Sequence, residues 1–135
     1  METETIHKIG AIVIKDGTFL VVRKKGKDTW ISLGGKPEPM ETEEEALTRE
    51  TREELNCGIH IIKKLLDVEG RAIFEDAKVK LSFYLAELEG DPKVAHELEE
   101  FAYISSDYKS KGIKLPASLE DTVIPFCIKS GYLKW

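Results

Sequence analysis

The sequence predicts an α+β fold, or a mixed-sheet α/β sandwich, and three observations carry that expectation. Apolar runs rich in β-branched residues are grouped along the chain, two segments repeat their apolar residues at helical spacing, and turn signals punctuate both. At 135 residues with a hydrophobic fraction of 41%, the chain is one domain's worth of sequence and long enough to bury a core.

Taken in order, His7 to Lys15 reads as a buried strand, Asp16-Gly17 as a hairpin turn and Thr18 to Arg23 as the returning strand. Lys24 to Asp28 is a basic loop containing a glycine. Trp30 to Leu33 is a short apolar segment that runs into Gly34-Gly35-Lys36-Pro37, a loop by its glycines and proline. Thr42 offers a helix start, because its hydroxyl can cap the backbone while Glu45 completes a capping box. That helix is expected to run to about Leu55, with Asn56 and Gly58 both able to supply the left-handed residue that ends it. Ala46, Leu47, Thr51 and Leu55 form its inward stripe. Ile59 to Val68, Val79 to Leu88 and the shorter Phe101 to Ile104 read as further strands. Pro116 opens a second helix of roughly 15 residues, with Leu119, Val123, Ile124, Cys127 and Ile128 on its apolar side.

Composition excludes some classes of function. A net charge of -5 and a pI of about 5.3 argue against a broad attraction to duplex nucleic acid or an anionic membrane. No apolar run approaches the roughly 20 residues needed to span a bilayer, and the polar, acidic start of the chain has no signal-peptide core behind it. Cys57 and Cys127 are too few for a disulfide framework and lack metal spacing, so they read as buried thiols in a reducing cytosol. The expectation is a soluble, cytoplasmic protein; nothing in the sequence decides between a monomer and a homodimer.

The charge is unevenly placed. From Glu41 to Glu54 there are seven glutamates against two arginines, which accounts for the whole imbalance. Glu50, Glu53 and Glu54 stand at i, i+3 and i+4, one face of a helix, where like charges repel unless something neutralises them. Hard divalent cations do so, since they prefer carboxylate oxygen and keep waters for a substrate phosphate. A solvated acidic face explains Glu43, Glu44 and Glu45. It gives no reason for a glycine pair, a further glutamate at the loop–helix junction, and then Arg49-Glu50 followed by Glu53-Glu54.

That series resembles the box of the Nudix hydrolases at every charged position and interval: Gly35, five residues, Glu41, seven residues, Arg49-Glu50, two residues, Glu53-Glu54. The segments Trp30 to Lys36 and Glu97 to Ile104 are similar to the family's entry strand and to its stretch carrying an additional carboxylate. Leu33 stands where a proline is common and Met40 where a glycine is. Thr51 takes an aliphatic position, and Asn56 and Cys57 replace the closing glycine and aliphatic residue.

The resemblance implies a Nudix fold, an α/β/α sandwich with a mixed central sheet flanked by helices, formed by one domain over residues 1–135 with its core at about 6–133. It implies Mg²⁺, with Mn²⁺ able to replace it, held by Glu50, Glu53, Glu54 and Glu97 with a carbonyl from Gly34 or Gly35. Glu53 is the first choice for general base and Glu50 the second, with Arg49 orienting the carboxylates and Glu41 pairing with the helix or its arginine. Arg23 and Lys36 are expected as phosphate contacts, and Asp121 falls where related enzymes read the base edge; Trp30 and Phe74, as single aromatics, read first as core and second as platforms that stack on a base. His7, His60 and His96 share no spacing that suggests a site.

The implied reaction cleaves a phosphoanhydride in a nucleoside triphosphate, or in a nucleoside diphosphate linked to a moiety X, giving nucleoside monophosphate plus pyrophosphate or X-phosphate. Between Asp67 and Asp76 there is neither the proline of the ADP-ribose subgroup nor the tyrosine of the dinucleoside-polyphosphate subgroup, which favours triphosphates. Two alternatives stand beside it: a catalytically silent Nudix-fold nucleotide sensor, and an acidic scaffold without a ligand.

Overall fold

Alternating side chains decide the layers. The computed structural model describes residues 5–71 and 77–135. In it, β1 (Thr5–Ile12) turns Ile9 and Ala11 to one face and Ile12 to the other, and β3 (Thr18–Lys24) splits Leu20 and Val22 from Phe19 and Val21 in the same way. Two cores result. One lies under helix α1 (Glu43–Leu55), with Ala46, Leu47 and Leu55; the other lies under the C-terminal helical segment, with Leu119, Val123, Ile124 and Cys127. Helices therefore cover both faces of the strands, the arrangement of an α/β/α sandwich.

The described strands form two sheets. The first is mixed, in the order β4-β1-β6-β5, with β4 at Leu33–Gly35, β5 at Gly58–Arg71 and β6 at Lys78–Glu89. Its β1–β6 pair is parallel and the others antiparallel. The second is antiparallel, in the order β2-β3-β7, with β2 at Ile14–Lys15 and β7 at Leu98–Ile104. The single strand expected from His7 to Lys15 is thus two: the chain leaves the first sheet at Ile12 and enters the second at Ile14. Asp16 and Gly17 both have positive φ, 51° and 76°, as a tight turn between β2 and β3 requires.

Helix α1 follows its expected signals. Thr42 accepts from the Glu45 amide at 3.1 Å, the Glu45 carboxylate accepts from the Thr42 amide at 2.9 Å, and Asn56 closes the helix in the left-handed conformation. Gly58 does not take part in the cap; it begins β5. Thr51 is fully buried without cost to its hydroxyl, which donates to the Leu47 carbonyl at 2.7 Å.

Three further expectations need correction. Gly34 and Gly35 lie in β4, not in a loop, because both pair with β1. The second helix is not one regular piece: a π-helical turn, Ser118–Val123, precedes α2 (Ile124–Lys129). Pro125 has no amide to donate, and restarting the helix at Ile124 puts it in a first turn where none is needed. Ile128, expected inside, is 39% exposed.

Candidate active site

The β4 edge and the inner face of α1 meet at Gly35. Gly34 has a φ of 143°, and a side chain there would collide with the Ile9 carbonyl across the β1 pairing. At Gly35 an added Cβ would lie 2.6 Å from Glu50 Oε1, so the missing side chain leaves the space the Glu50 carboxylate fills. The glycine pair thus serves two ends: close approach of β4 to β1, and a seat for one glutamate of the helix.

Arg49 organises the acidic groups. Its Nε and Nη2 donate to Glu41 at 2.8 and 2.9 Å, a two-point pairing. Nη1 reaches Glu50 at 3.0 Å and Glu53 at 3.3 Å, and Nη2 also donates to the Lys36 carbonyl at 3.1 Å. Glu41 further accepts from the Glu38 amide at 2.9 Å. The hydrogen bonds from Arg49, then that from Glu38, bring the Glu41 carboxyl down to about 2. The same Glu41 contacts, followed by Glu50, hold the guanidinium proton more tightly still.

Glu54 is different. It is only 8% exposed, and burial first, then the charge of neighbouring Glu50, push its carboxyl up to about 8. Lys24 opposes that shift and Glu97 adds to it, so both lie within electrostatic reach. The Glu97 side chain itself is 74% exposed with Lys24 Nζ at 3.6 Å. The chain before β7 brings it there: the Ala95 and Lys93 amides donate to the carbonyls of Glu54 and Leu55 at the end of α1, and the Lys25 amide donates to the Glu97 carbonyl.

Among the described residues, no three carboxylate, imidazole or thiol groups converge closely enough to chelate an ion as they stand. Glu50 and Glu54 are gathered; Glu53 is turned to Arg49 and Glu97 to Lys24. The donor set nonetheless fits a hard divalent cation. Burial and the neighbouring charge of Glu50 raise the Glu54 carboxyl, a cost that such an ion would relieve, and the Glu53 and Glu97 side chains stand exposed at the rim of the same cluster.

The remaining expected residues divide. Arg23 is engaged elsewhere: it pairs with Glu100, donates to the Lys27 carbonyl at 2.9 Å and lies over the Trp30 ring. Trp30 is 9% exposed within the second core, so the structure places it as a core residue rather than a stacking platform. Lys36 is exposed on the loop beside the cluster. Phe74 lies outside the described residues. Asp121 lines a cleft of about 1250 Å³ together with Lys27, Asp28, Lys114 and Thr122.

Sequence reasoning missed what joins the cluster to that cleft. A narrow crevice starts at Gly34 and Gly35, passes Lys8, Lys24, Ser32 and Leu81, and shares Arg71, Val79, Pro116 and Ser118 with the cleft. Lys8 gave one signal, as a lone cation in the otherwise apolar stretch after His7; Ser118 gave none, since its position depends on how the last helix docks.

Comparison with known proteins bears on this arrangement. A family model described as NUDIX domain matches residues 6–108. Over 76 residues the chain is 34% identical to the CTP pyrophosphohydrolase of Escherichia coli strain K12, covering 50% of this chain and 56% of that protein. The match therefore spans little more than half the relative's length. The MutT protein of Methanosarcina mazei Go1 superposes with a TM-score of 0.79 at 23% identity, covering 96% of this chain and 98% of that one. The E. coli ORF135 protein gives 0.74 at 23% identity, covering 96% and 94%. The MutT NUDIX hydrolase of Burkholderia pseudomallei gives 0.70 at 25% identity, covering 91% and 96%.

Proposed function

The chain belongs to the Nudix family, and from that premise we propose that it is a cytoplasmic nucleotide pyrophosphohydrolase acting as a single domain. The reaction is attack of water on a phosphoanhydride of a nucleoside triphosphate or of a nucleoside diphosphate linked to X. The products are nucleoside monophosphate plus pyrophosphate or X-phosphate. The observation that carries the reading is the buried Glu54 beside Glu50 at the Gly35 edge, with Arg49 bound to Glu41, Glu50 and Glu53 at once.

Glu50, Glu53 and Glu54, with Glu97 and the Gly35 carbonyl, would hold Mg²⁺ or Mn²⁺. Bound there, the ion supplies polarisation of the phosphate oxygens, acidification of water and neutralisation of leaving-group charge. The chain's own groups do the rest. Arg49 orients the carboxylates through its hydrogen bonds to Glu41, Glu50 and Glu53. Glu53, 47% exposed and on the rim of the cluster, takes the proton of the attacking water, with Glu50 as second candidate. Lys24 lies beside the glycine pair as a phosphate contact, joined by Lys36 from the loop, while Arg23 would have to leave Glu100 to serve in that role. The nucleoside would extend along the crevice toward the cleft, where Asp121, a lining residue, would accept from a base amine. A triphosphate is the favoured substrate, and the likeness to a CTP pyrophosphohydrolase makes cytidine nucleotides the first to test.

The test is phosphate and pyrophosphate release from a panel of nucleoside triphosphates and diphosphate-X compounds with Mg²⁺, run on wild type and Glu53→Gln. Turnover of at least one compound, lost by about a hundredfold or more in the variant while it stays folded, is the expected result. Tight binding of a nucleotide with no turnover of any would overturn the enzyme reading in favour of a sensor.

A further inference from the structure

Glu43 opens α1 at the end remote from Glu50 and Glu54, outside the cluster described above. Its carboxylate is met from three strands at once. His7 of β1 places Nε2 2.6 Å from Oε2, Tyr84 of β6 donates its hydroxyl to Oε1 at 2.6 Å, and Lys64 of β5 lies 3.4 Å from that same oxygen. These partners are themselves held. His7 Nε2 is 3.3 Å from Ser82 Oγ; Ser82, fully buried, donates to Asp67 at 2.7 Å; and Asp67 pairs with Lys64 at 3.1 Å. The contacts close into a ring across the sheet, so the partners are tied to one another as well as to Glu43. An isolated exposed pair would hold little, whereas a carboxylate with several donors converging from one rigid surface is held in both place and direction.

The geometry of the helix connects this anchor to the acidic cluster. At about 100° per residue, Glu43, Leu47, Glu50 and Glu54 fall in one stripe along α1. Leu47, fully buried, fixes the middle of the stripe by packing, which resists separation from the sheet more than rotation about the helix axis. The capping box between Thr42 and Glu45 acts only within the helix's own first turn and cannot set that rotation. Glu43 can, since its three partners lie on different strands. Rotation away from them would carry Glu50 out of the Gly35 seat by the same angle.

We infer that Glu43 is a positioning residue: docked on His7, Tyr84 and Lys64, it sets the rotation of α1 on the sheet and so places Glu50 and Glu54. The inference rests on the reading of those two glutamates as metal ligands.

Its test uses Glu43→Ala, Tyr84→Phe and, as a control on the same turn, Glu44→Ala. Mn²⁺ affinity is read by water-proton relaxation, alongside kcat and KM on the best nucleotide of the panel and the thermal unfolding midpoint. Glu43→Ala should weaken Mn²⁺ binding about tenfold and lower kcat by a similar factor, with KM moved by about twofold or less. Tyr84→Phe, which removes one hydroxyl and no packing, should shift both in the same direction by less and carries the test if Glu43→Ala does not fold. Glu44→Ala should match wild type. A fall in the unfolding midpoint with unchanged Mn²⁺ affinity and kcat in both network variants overturns the inference alone. A wild type without a saturable Mn²⁺ site overturns the metal reading beneath it, and the inference with it.

Discussion

Single residues show how conformation, more than chemistry, marks this site. Met40 is fully exposed and has a φ of 69°, in the loop between the glycine pair and α1. A non-glycine residue there costs about 1–2 kcal/mol of local strain, while replacing it by glycine costs roughly 0.5–1 kcal/mol through the freer unfolded chain. No packing is lost, because the side chain touches only solvent. Strain is the larger effect, so Met40→Gly should raise stability by roughly 0.5–1 kcal/mol, read as a higher urea midpoint at unchanged slope. An unchanged or lower midpoint would show that the loop relaxes at no cost. The departure from the resembled family pattern, a methionine where glycine is common, was visible in the sequence; the positive φ was not. Arg23 teaches the converse. Its position at a strand end suggested a phosphate contact, but the fold supplies Glu100 from β7, a partner that no local pattern could announce.

At the scale of the element, α1 was legible almost to the residue, since its start, stop and inward stripe are all local properties. The tie between the helix and the preceding loop was only half legible: the interval from Glu41 to Arg49 was plain, but the two-point geometry that joins them was not. That tie has a pH dependence with a definite sign. Arg49, and after it the Glu38 amide, lower the Glu41 carboxyl from its ordinary 4.5 to about 2. The unfolded chain therefore takes up a proton before the folded one does, so the stabilisation is complete above about pH 4.5 and is lost as pH falls toward 2. Unfolding of wild type and Glu41→Gln, compared from pH 7 downward, should show a stability gap that holds to about pH 5 and then closes. A gap independent of pH would mean that Glu41 acts through its shape and backbone contact instead of its charge.

Across the whole molecule, the division of strands between two sheets is the feature the sequence concealed. The parallel pairing of β1 with β6 joins residues more than seventy positions apart, and the break at Val13 shows no turn residue. What the alternation did predict is two faces, and each face holds one cysteine. Cys57 lies in the core under α1 and Cys127 in the core under the last helix, both buried and unpaired. Burial raises both thiols, Cys127 to about 11, so neither supplies much thiolate while the chain is folded. They therefore serve as separate reporters of the two cores. The cores are not independent bodies, because β1 and β3 send alternate side chains into each; opening one face withdraws packing from the other. The domain is proposed to open as one cooperative unit, so labelling of Cys57 and of Cys127 by a thiol reagent should rise at the same denaturant concentration. Single-cysteine variants, Cys57→Ala and Cys127→Ala, assign each signal, each compared with its own unfolding curve. Coincidence of labelling with global unfolding in both variants is the expected outcome. If Cys127 is labelled well before its variant unfolds while Cys57 is not, the last helix is a separate layer that can leave the sheet, and the crevice it walls would open with it.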